Sequence, residues 1–248
     1  DWLPESRQWS YTLGTTFKHY GNNWYHFFVL SRSGLYNKVE KYTGNDRHNP
    51  KTIDYRSGES ENKFRFEHHR YAANGFKLQV GAGIEYAHYD NTTARRLFAA
   101  GEAIDQYYSR ALNMWKWAVF GQVSRSFFSE RLALSLGLRA DGCNYTGKTA
   151  ALYRQISPRF SFSYAFDERW SLNGNIGRYY QLPAYTTLGF ADAGGVLVNK
   201  RNKTGYIGAD HYVLGVEYRP GTTTRITLEG FYKTYDHYPV SLTDSVAL

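Results

Sequence analysis

Cysteine is almost absent from this sequence: Cys143 is the single one among 248 residues. One cysteine cannot form an intrachain disulfide, which excludes a small secreted domain held together by cross-links. The sequence also lacks any run of 18 or more apolar residues, so it predicts no transmembrane helix. A β-barrel in a membrane remains open, because a barrel strand turns toward lipid only at every second residue and its mean hydropathy is therefore low.

Positive charge exceeds negative charge, but no segment concentrates it. The sequence has 30 lysines and arginines against 22 acids, a net charge of +8. A nucleic-acid-binding protein collects its basic residues on one face, whereas here they are interleaved with acids along the whole chain. We therefore expect no nucleic-acid partner. The excess of positive charge is consistent with attraction to an anionic lipid surface or to an anionic solute.

Tyrosine is abundant, and aromatic residues flank a series of tight turns. A tyrosine places its ring in the lipid boundary and its hydroxyl in water, and the chain has 23 of them beside 15 Phe and 6 Trp. Short and long connections alternate, as in outer-membrane barrels, which have short periplasmic turns and long outer loops. The tight turns lie at 20–24, 71–76, 128–131, 166–170 and 218–221, and long loops are predicted at 43–60, 90–111, 146–155 and 181–209.

Strand patterns with a period of two predict the fold class. In the segment 131–144, four leucines alternate with small or polar residues, which makes one apolar and one polar wall. The polar walls are rich in Gly, Ser and Asn, which suits a watered or plugged barrel interior better than bulk solvent. We expect an all-β, antiparallel, up-and-down transmembrane β-barrel of about ten strands. A soluble, carbohydrate-binding β-sandwich remains an alternative, and the faces of the undivided run Trp24–Leu30 stay unassigned.

An even number of strands places both ends of the chain on the long-loop side, whereas a small complete barrel starts and finishes at its periplasmic side. We therefore expect residues 1–248 to be a partial barrel, truncated at both ends. A complete ten-stranded outer-membrane enzyme is the other barrel alternative, but no catalytic motif is present. The neighbours His68 and His69 point to opposite faces of a strand and cannot chelate one ion. We expect no catalytic residue, no metal site and no cofactor.

Three stretches resemble the TonB-dependent outer-membrane receptors, particularly those of the Bacteroides–Porphyromonas kind, over roughly residues 112–240. They are ISPRFSFSY…WSLNGNIGRYYQLP within Ile156–Pro183, LSLGLRAD at Leu134–Asp141 and HYVLGVEYR…ITLEGFYKTY within His211–Tyr235. The resemblance implies that the ten strands are the C-terminal half of a barrel of about 22 strands. It also implies an N-terminal plug domain outside this chain and energy relayed by TonB.

The resemblance further implies a function in the bacterial cell outer membrane. The expected activity is the active uptake of a small nutrient: a siderophore, haem, a cobalamin, an oligosaccharide or a peptide. The chemistry is non-covalent transport, so the chain is not expected to be an enzyme. The expected partners are outer-membrane lipid and lipopolysaccharide, the nutrient, and the TonB system through the plug.

Candidate site residues form two sets. Barrels place ligand recognition in long loops, where aromatic rings stack on sugars or macrocycles and cations meet carboxylates or phosphates. The loop candidates are Arg95, Arg96, Tyr107, Tyr108, Tyr185, Phe190, Lys200, Arg201 and Lys203. The candidates expected to face the lumen, where they contact a solute or the plug or pair with each other, are Arg139, Arg159, Glu217 and Glu229.

Arg178 stands apart from both sets. It shares the phase of Trp170, Leu172 and Ile176, the apolar positions of its strand. The pattern therefore predicts that Arg178 lies on the outer rim, where its long side chain reaches the phosphate of lipopolysaccharide.

Overall fold

Ten antiparallel strands follow one another in a single sheet, and each pairs with its neighbours in chain order. The computed structural model describes residues 3–99, 102–192 and 194–240. The all-β, up-and-down prediction is confirmed, and a single sheet excludes the two packed sheets of a sandwich. The strands are β1 Glu5–Tyr20, β2 Trp24–Tyr42, β3 Lys51–Tyr71, β4 Lys77–Ala99, β5 Glu102–Phe127, β6 Leu132–Cys143, β7 Ile156–Ala165, β8 Trp170–Gln181, β9 Ile207–Tyr218 and β10 Ile226–Asp236.

The sheet is open at both edges. Within the described residues, β1 pairs only with β2 and β10 pairs only with β9, so the ten strands do not close on themselves. A complete ten-stranded barrel would require β1 to pair with β10. The helices are short, and none in the described ranges is long and apolar enough to cross a membrane. They are α1 Gly147–Ala150, α2 Tyr185–Leu188 and α3 Val198–Arg201.

Short and long connections alternate as predicted, but two of the predicted long loops are mostly strand. The connection between β2 and β3 is confined to 43–50, and β4 and β5 remain paired from Lys77 to Ala99, opposite Glu102. The polar composition of 90–111 suggested a loop, but cross-strand pairs such as Arg96 with Asp105 extend the hairpin. Residues 100 and 101 of the predicted loop 90–111, and residues 241–248, lie outside the described residues.

One face of the sheet is apolar across all ten strands. Directly opposed residues on neighbouring strands share a face, and the pairings place Leu30 beside Phe64 and Phe64 beside Ile84. These three side chains are 57%, 44% and 46% exposed. The register also settles the run Trp24–Leu30, whose even-numbered residues lie on the apolar face and whose odd-numbered residues lie on the polar face. We call the two sides of the sheet the apolar face and the polar face.

Aromatic residues form two bands on the apolar face. Near the short turns, Trp170 stacks on Tyr218 with ring centroids 4.3 Å apart. Toward the long connections, Trp9 stacks on Tyr36 at 4.5 Å. We call these the short-turn band and the long-connection band. The short-turn band also includes Trp24, Phe166 and Phe127, and the long-connection band also includes Tyr86, Trp115, Tyr212 and Tyr232.

Glycine on the polar face lets large side chains lie across a strand. A Cβ atom at Gly81 would lie 2.4 Å from the Phe120 ring and 2.6 Å from the Phe66 carbonyl oxygen, so no side chain fits there. The Phe120 ring therefore reaches over β4 and lies under the guanidinium of Arg65, 5.0 Å from its centroid. This cation–π contact links β3 to β5 directly, across the face of the strand β4 that lies between them.

The turn between β7 and β8 is closed by a carboxylate. Asp167 Oδ1 accepts hydrogen bonds from the backbone N–H groups of Arg169 at 2.7 Å and Trp170 at 2.8 Å. These bonds lower the pKa of the Asp167 carboxyl. A lowered folded-state pKa means that the contribution to stability is present above the unfolded-state pKa and is lost as pH falls through the folded-state pKa.

We expect Asp167→Ala to lower the hydrogen-exchange protection factor of the Trp170 amide, because that N–H loses its acceptor. Hydrogen exchange followed by mass spectrometry on the turn peptide measures the change. Glu168→Ala, at the exposed neighbouring position, is the matched control and should leave protection unchanged. Equal protection in the Asp167 and Glu168 variants would show that the carboxylate does not hold the turn.

Candidate functional site

A cavity of about 660 Å³ lies on the polar face, between the strands and the start of the β8–β9 connection. Its charged lining comes from successive strands, because residues two apart on a strand point to the same side. The opposite wall is formed by residues 181–185 of the connection. The charged lining residues are Glu59, Glu61, Lys63, Arg65, Glu85, Lys116, Arg139 and Asp141. Four cations therefore face four carboxylates.

Two lysines and two glutamates form a closed network in this cavity. Lys116 Nζ contacts Glu85 and lies 3.1 Å from Glu61 Oε1, although β4 separates β5 from β3. Lys63 Nζ lies 2.5 Å from Glu61 and 3.5 Å from Glu85. The side chains of Glu61, Glu85 and Lys116 are only about one-fifth exposed, with 21%, 18% and 22% of their surface accessible. Each charge therefore has an opposite charge that offsets its desolvation.

Tyr185 connects this network to the β8–β9 connection. Lys116 Nζ donates to the Tyr185 hydroxyl at 2.6 Å, and the hydroxyl in turn donates to Glu61. Burial, followed by the Glu61 carboxylate, raises the pKa of the Tyr185 phenol. The phenol therefore stays protonated and acts as a donor. We call Glu61, Lys63, Glu85, Lys116 and Tyr185 the Lys116 network.

A small apolar core fixes the same connection to the sheet. Leu188 is fully buried, and Tyr145 donates a hydrogen bond from its hydroxyl to the Leu188 carbonyl oxygen at 2.7 Å. Asn199 Nδ2 donates to the Thr187 carbonyl oxygen at 2.7 Å, which ties the second half of the connection to the first. The connection is therefore packed against the strands. The buried core consists of Tyr89, Leu112, Met114, Cys143, Tyr145, Leu188 and Tyr206.

The nine loop candidates are distributed over two regions. Arg95, Arg96, Tyr107 and Tyr108 lie on β4 and β5, so their assignment to a loop was wrong. Arg96 is engaged with Asp105, whereas Arg95 and Tyr107 are exposed.

The other five candidates lie in the β8–β9 connection. Tyr185 is the one that belongs to the Lys116 network. Phe190, Lys200 and Lys203 are exposed, and Arg201 lies 3.4 Å from Asp192. Among the described lining residues of the 660 Å³ cavity, Tyr185 is the only one of the nine loop candidates.

The residues predicted to face the lumen all lie on the polar face but do not pair with one another. Arg139 binds Asp141 of its own strand, with its Nε 2.9 Å from Oδ2. Arg159 lies over the ring of Tyr179, 4.5 Å from the centroid.

The two predicted acids lie farther along the sheet. Glu217 is buried and accepts from Arg219 at 2.5 Å and from Arg225. Glu229, on β10, is exposed beside Gly215. That these residues face a lumen stays a prediction.

Arg178 lies on the apolar face, as its phase indicated. Its guanidinium is held by Asp210 at 2.9 Å and by Asp236, and its Nε donates to the Tyr180 hydroxyl at 2.8 Å. Gly208 makes this cluster possible, because a Cβ atom there would lie within 2.0 Å of Asp236. Two carboxylates already neutralise Arg178, which leaves it poorly suited to a phosphate.

Sequence reasoning missed the Lys116 network. Glu59, at the end of the predicted loop 43–60, and Glu61 both lie on β3 and line the cavity. The alternation of Glu61, Lys63 and Arg65 at every second position carried the signal, since it indicates one strand face. Among the residues that the structure describes, no group of three or more His, Cys, Asp or Glu is arranged to hold a metal ion.

Residues 2–248 match the family model for the β-barrel of TonB-dependent receptors. The chain therefore belongs to the TonB-dependent receptor β-barrel family, whose members are transporters and receptors of the outer membrane. A comparison with curated protein sequences found no match.

Solved receptors share the fold at low sequence identity. The ferric enterobactin receptor PfeA of Pseudomonas aeruginosa is 17% identical with a TM-score of 0.66, over 93% of this chain and 35% of that one. The copper transporter OprC is 13% identical with a TM-score of 0.66, over 91% and 40%. The ferric yersiniabactin uptake receptor FyuA of Yersinia pestis is 10% identical with a TM-score of 0.63, over 94% and 36%. The chain thus spans well under half the length of each.

Proposed function

We propose that this chain forms ten consecutive strands in the barrel of an outer-membrane receptor that actively takes up a nutrient. The complete barrel has about 22 strands, and residues 1–248 are its C-terminal half, of the Bacteroides–Porphyromonas kind. A plug domain outside this chain fills the barrel and receives energy through TonB. The residues carry no catalytic role.

The observation that carries this proposal is the apolar face bounded by two aromatic bands. On β4, Leu78 lies near the short turns and Tyr86 lies in the long-connection band, eight residues away. At about 3.3 Å per residue and the tilt of barrel strands, that spacing corresponds to roughly 20 Å, close to the apolar height of outer-membrane barrels. Lipid covers this face in the proposed arrangement, and the long connections lie at the cell exterior.

The polar face and the long connections then provide the ligand-facing surfaces. The Lys116 network lies on the inner wall, with Arg139 in the same cavity and Arg159 further along the polar face, where the plug or a solute is in reach. The nutrient is a siderophore, haem, a cobalamin, an oligosaccharide or a peptide. It meets the exposed candidates of the hairpin and of the β8–β9 connection, chiefly Arg95, Tyr107 and Phe190. Outer-membrane lipid and lipopolysaccharide surround the barrel.

Neighbouring positions on β6 test the orientation of the sheet. In the full-length receptor with Cys143→Ala, single cysteines at Leu136 or Ser135 are labelled with a bimane fluorophore in vesicles that contain brominated lipid. Leu136 lies on the apolar face and is 58% exposed, whereas Ser135 lies on the polar face. We expect strong quenching at 136 and little at 135. Equal quenching at both positions would contradict a lipid-facing apolar side.

The mass and cellular location of the native protein test whether this chain is part of a larger outer-membrane receptor. An antibody raised against this chain should detect, in the outer-membrane fraction, a band much heavier than the 28.6 kDa of these residues. A membrane band near 28.6 kDa would instead favour a small barrel enzyme, and a band in the soluble fraction would contradict a barrel altogether.

A further inference from the structure

Three cations form a row across the first three strands on the apolar face. The strand register places Arg7 opposite Lys38, and Lys38 opposite Arg56. Opposed residues of antiparallel strands share a face, with Cβ atoms about 5 Å apart. We call these three residues the cation row. Like charges placed directly opposite one another are destabilising, so the row requires compensating negative charge.

Carboxylates two residues from Lys38 and from Arg56 compensate the positive charge of the cation row only in part. Lys38 Nζ lies 2.7 Å from Glu40, and Arg56 Nε lies 3.1 Å from Asp54. Arg7 is exposed and interacts electrostatically with Glu5 of its own strand, but it forms no hydrogen bond or ion pair with any residue that the structure describes.

The neighbouring acids have further cations of their own. Arg47 binds Glu5 through two hydrogen bonds, of 2.8 and 2.7 Å. Lys51 contacts both Glu40 and Asp54. With the cation row there are five cations, and Asp90 of β4, which lies at the row, brings the carboxylates to four, so the patch keeps an excess of one positive charge.

The cation row lies just beyond the long-connection band. Trp9 and Tyr36, two positions from Arg7 and Lys38, form the stacked pair of that band. Further from the row on the same face, Leu13 is 74% exposed. Cationic side chains at the end of an apolar, aromatic-bordered surface are placed to meet lipid phosphates.

A shallow cavity of about 420 Å³ lies at the row. It has room for a phosphate group, and cations and aromatic rings dominate its lining. One carboxylate, Asp90, also lines it, with its Oδ1 3.6 Å from His88 Nε2. The lining includes Arg7, Trp9, Tyr36, Lys38 and Arg56.

We propose that the cation row binds the phosphate of a phosphorylated glycolipid of the lipid A type in the outer leaflet. The acyl chains of this glycolipid lie along Leu13 and the long-connection band. The inference rests on the proposed function, which places the long connections at the cell exterior. Guanidinium groups suit this partner because they bind phosphate oxygens in a bidentate manner. Arg178 is a poorer site, because Asp210 and Asp236 already hold it.

The test is a titration of the detergent-purified, delipidated full-length receptor with diphosphorylated lipid A, followed by native mass spectrometry. The triple variant Arg7→Gln, Lys38→Gln, Arg56→Gln should bind at least about tenfold more weakly, since one charge-assisted hydrogen bond is worth on the order of a factor of ten. The control triple Arg131→Gln, Lys148→Gln, Arg169→Gln removes the same charge from other exposed connections and should bind like the native receptor.

Three results would overturn the proposal. The first is equal lipid A affinity of the native receptor and the cation-row variant. The second is equal affinity of the native receptor for phosphatidylglycerol and for lipid A, which would indicate a general anionic-lipid surface. The third is equal affinity for inorganic phosphate alone, which would remove any role for the lipid.

Two further measurements keep the outcome interpretable. Heat-modifiable gel mobility shows whether each variant is folded. If the triple variant is not folded, Arg7→Gln alone replaces it, since Arg7 is exposed and forms no hydrogen bond or ion pair within the described residues. This single substitution should still lower the affinity by about tenfold. Membrane fractionation of the native receptor is a separate measurement. If the receptor is in the outer membrane and the cation-row variant binds lipid A as the native receptor does, the cation-row proposal is contradicted and the proposed function is not.

Discussion

Leu188→Ala should release the β8–β9 connection from the sheet. Leu188 has no exposed surface, and it packs in the core with Tyr89, Leu112 and Met114. Truncating a buried leucine to alanine costs roughly 2–5 kcal/mol, because the apolar transfer free energy is lost and a cavity remains. Leu182, Tyr185 and Leu197 of the same connection pack against this core, so the cavity weakens the attachment of the connection to the strands.

The effect is measurable as hydrogen exchange of the α2 amides in the full-length receptor. The Leu188 N–H donates to the Ala184 carbonyl oxygen at 3.0 Å, and the Gly189 N–H donates to Tyr185 at 2.7 Å. Where exchange requires local opening, a loss of roughly 2–5 kcal/mol lowers the protection factor by at least about tenfold.

Two variants calibrate this result. Val196→Ala lies in the same connection, but its side chain is 47% exposed, and it should leave the protection of α2 unchanged. Tyr145→Phe removes only the hydrogen bond to the Leu188 carbonyl oxygen and should have a smaller effect, on the order of 1 kcal/mol. Unchanged protection in Leu188→Ala would mean that the connection is held by something other than the buried core.

The sequence predicts the strands best where the two faces differ most in polarity. On β6 and β7, leucine and phenylalanine alternate with Gly, Ser and Arg, and the structure has both strands where the alternation places them. On β2 the alternation fails, because Tyr25, Phe27 and Val29 are apolar although they lie on the polar face. Only the pairing with β1 and β3 decides which way such a segment faces.

Polar composition also misled the prediction of loops. Polar and charged residues are common on both sides of the hairpin 90–111, which is typical of solvated connections. In the structure, backbone pairing continues because matched side chains such as Arg96 and Asp105 face each other. Strand segments that extend beyond the aromatic bands have no apolar face and therefore no alternation of apolar and polar residues. Hydropathy alone cannot distinguish such segments from loops.

The Lys116 network could not be predicted from the sequence for a different reason. Lys116 and Glu61 are 55 positions apart in the chain, and their contact depends on the registers of two successive strand pairs. The sequence predicts Tyr185 as a loop aromatic that stacks on a ligand, whereas in the structure its hydroxyl completes the Lys116 network. Alternation places each charge on the polar face, and only the register shows which charges meet.

Lys116→Met should destabilise the barrel, because it leaves Lys63 as the one remaining cation of the Lys116 network to compensate Glu61 and Glu85. Removing one partner of a fully buried ion pair costs about 3–5 kcal/mol. These side chains keep about one-fifth of their surface exposed, with Glu61 at 21% and Glu85 at 18%. Water therefore screens part of the interaction, and we expect a loss of roughly 1–3 kcal/mol. The thermal midpoint of the full-length receptor, followed by heat-modifiable gel mobility, should fall.

A second substitution separates loss of charge compensation from loss of packing. Adding Glu85→Gln to Lys116→Met removes one of the two carboxylates that Lys63 would otherwise compensate alone and should recover part of the lost stability, whereas Glu85→Gln alone should be destabilising. Lys148→Met, at an exposed lysine of α1, controls for the methionine and should leave the midpoint unchanged. If the double variant loses the sum of the two single losses, the effects are additive and the pair is not coupled. A smaller loss than that sum would show that Lys116 and Glu85 stabilise each other.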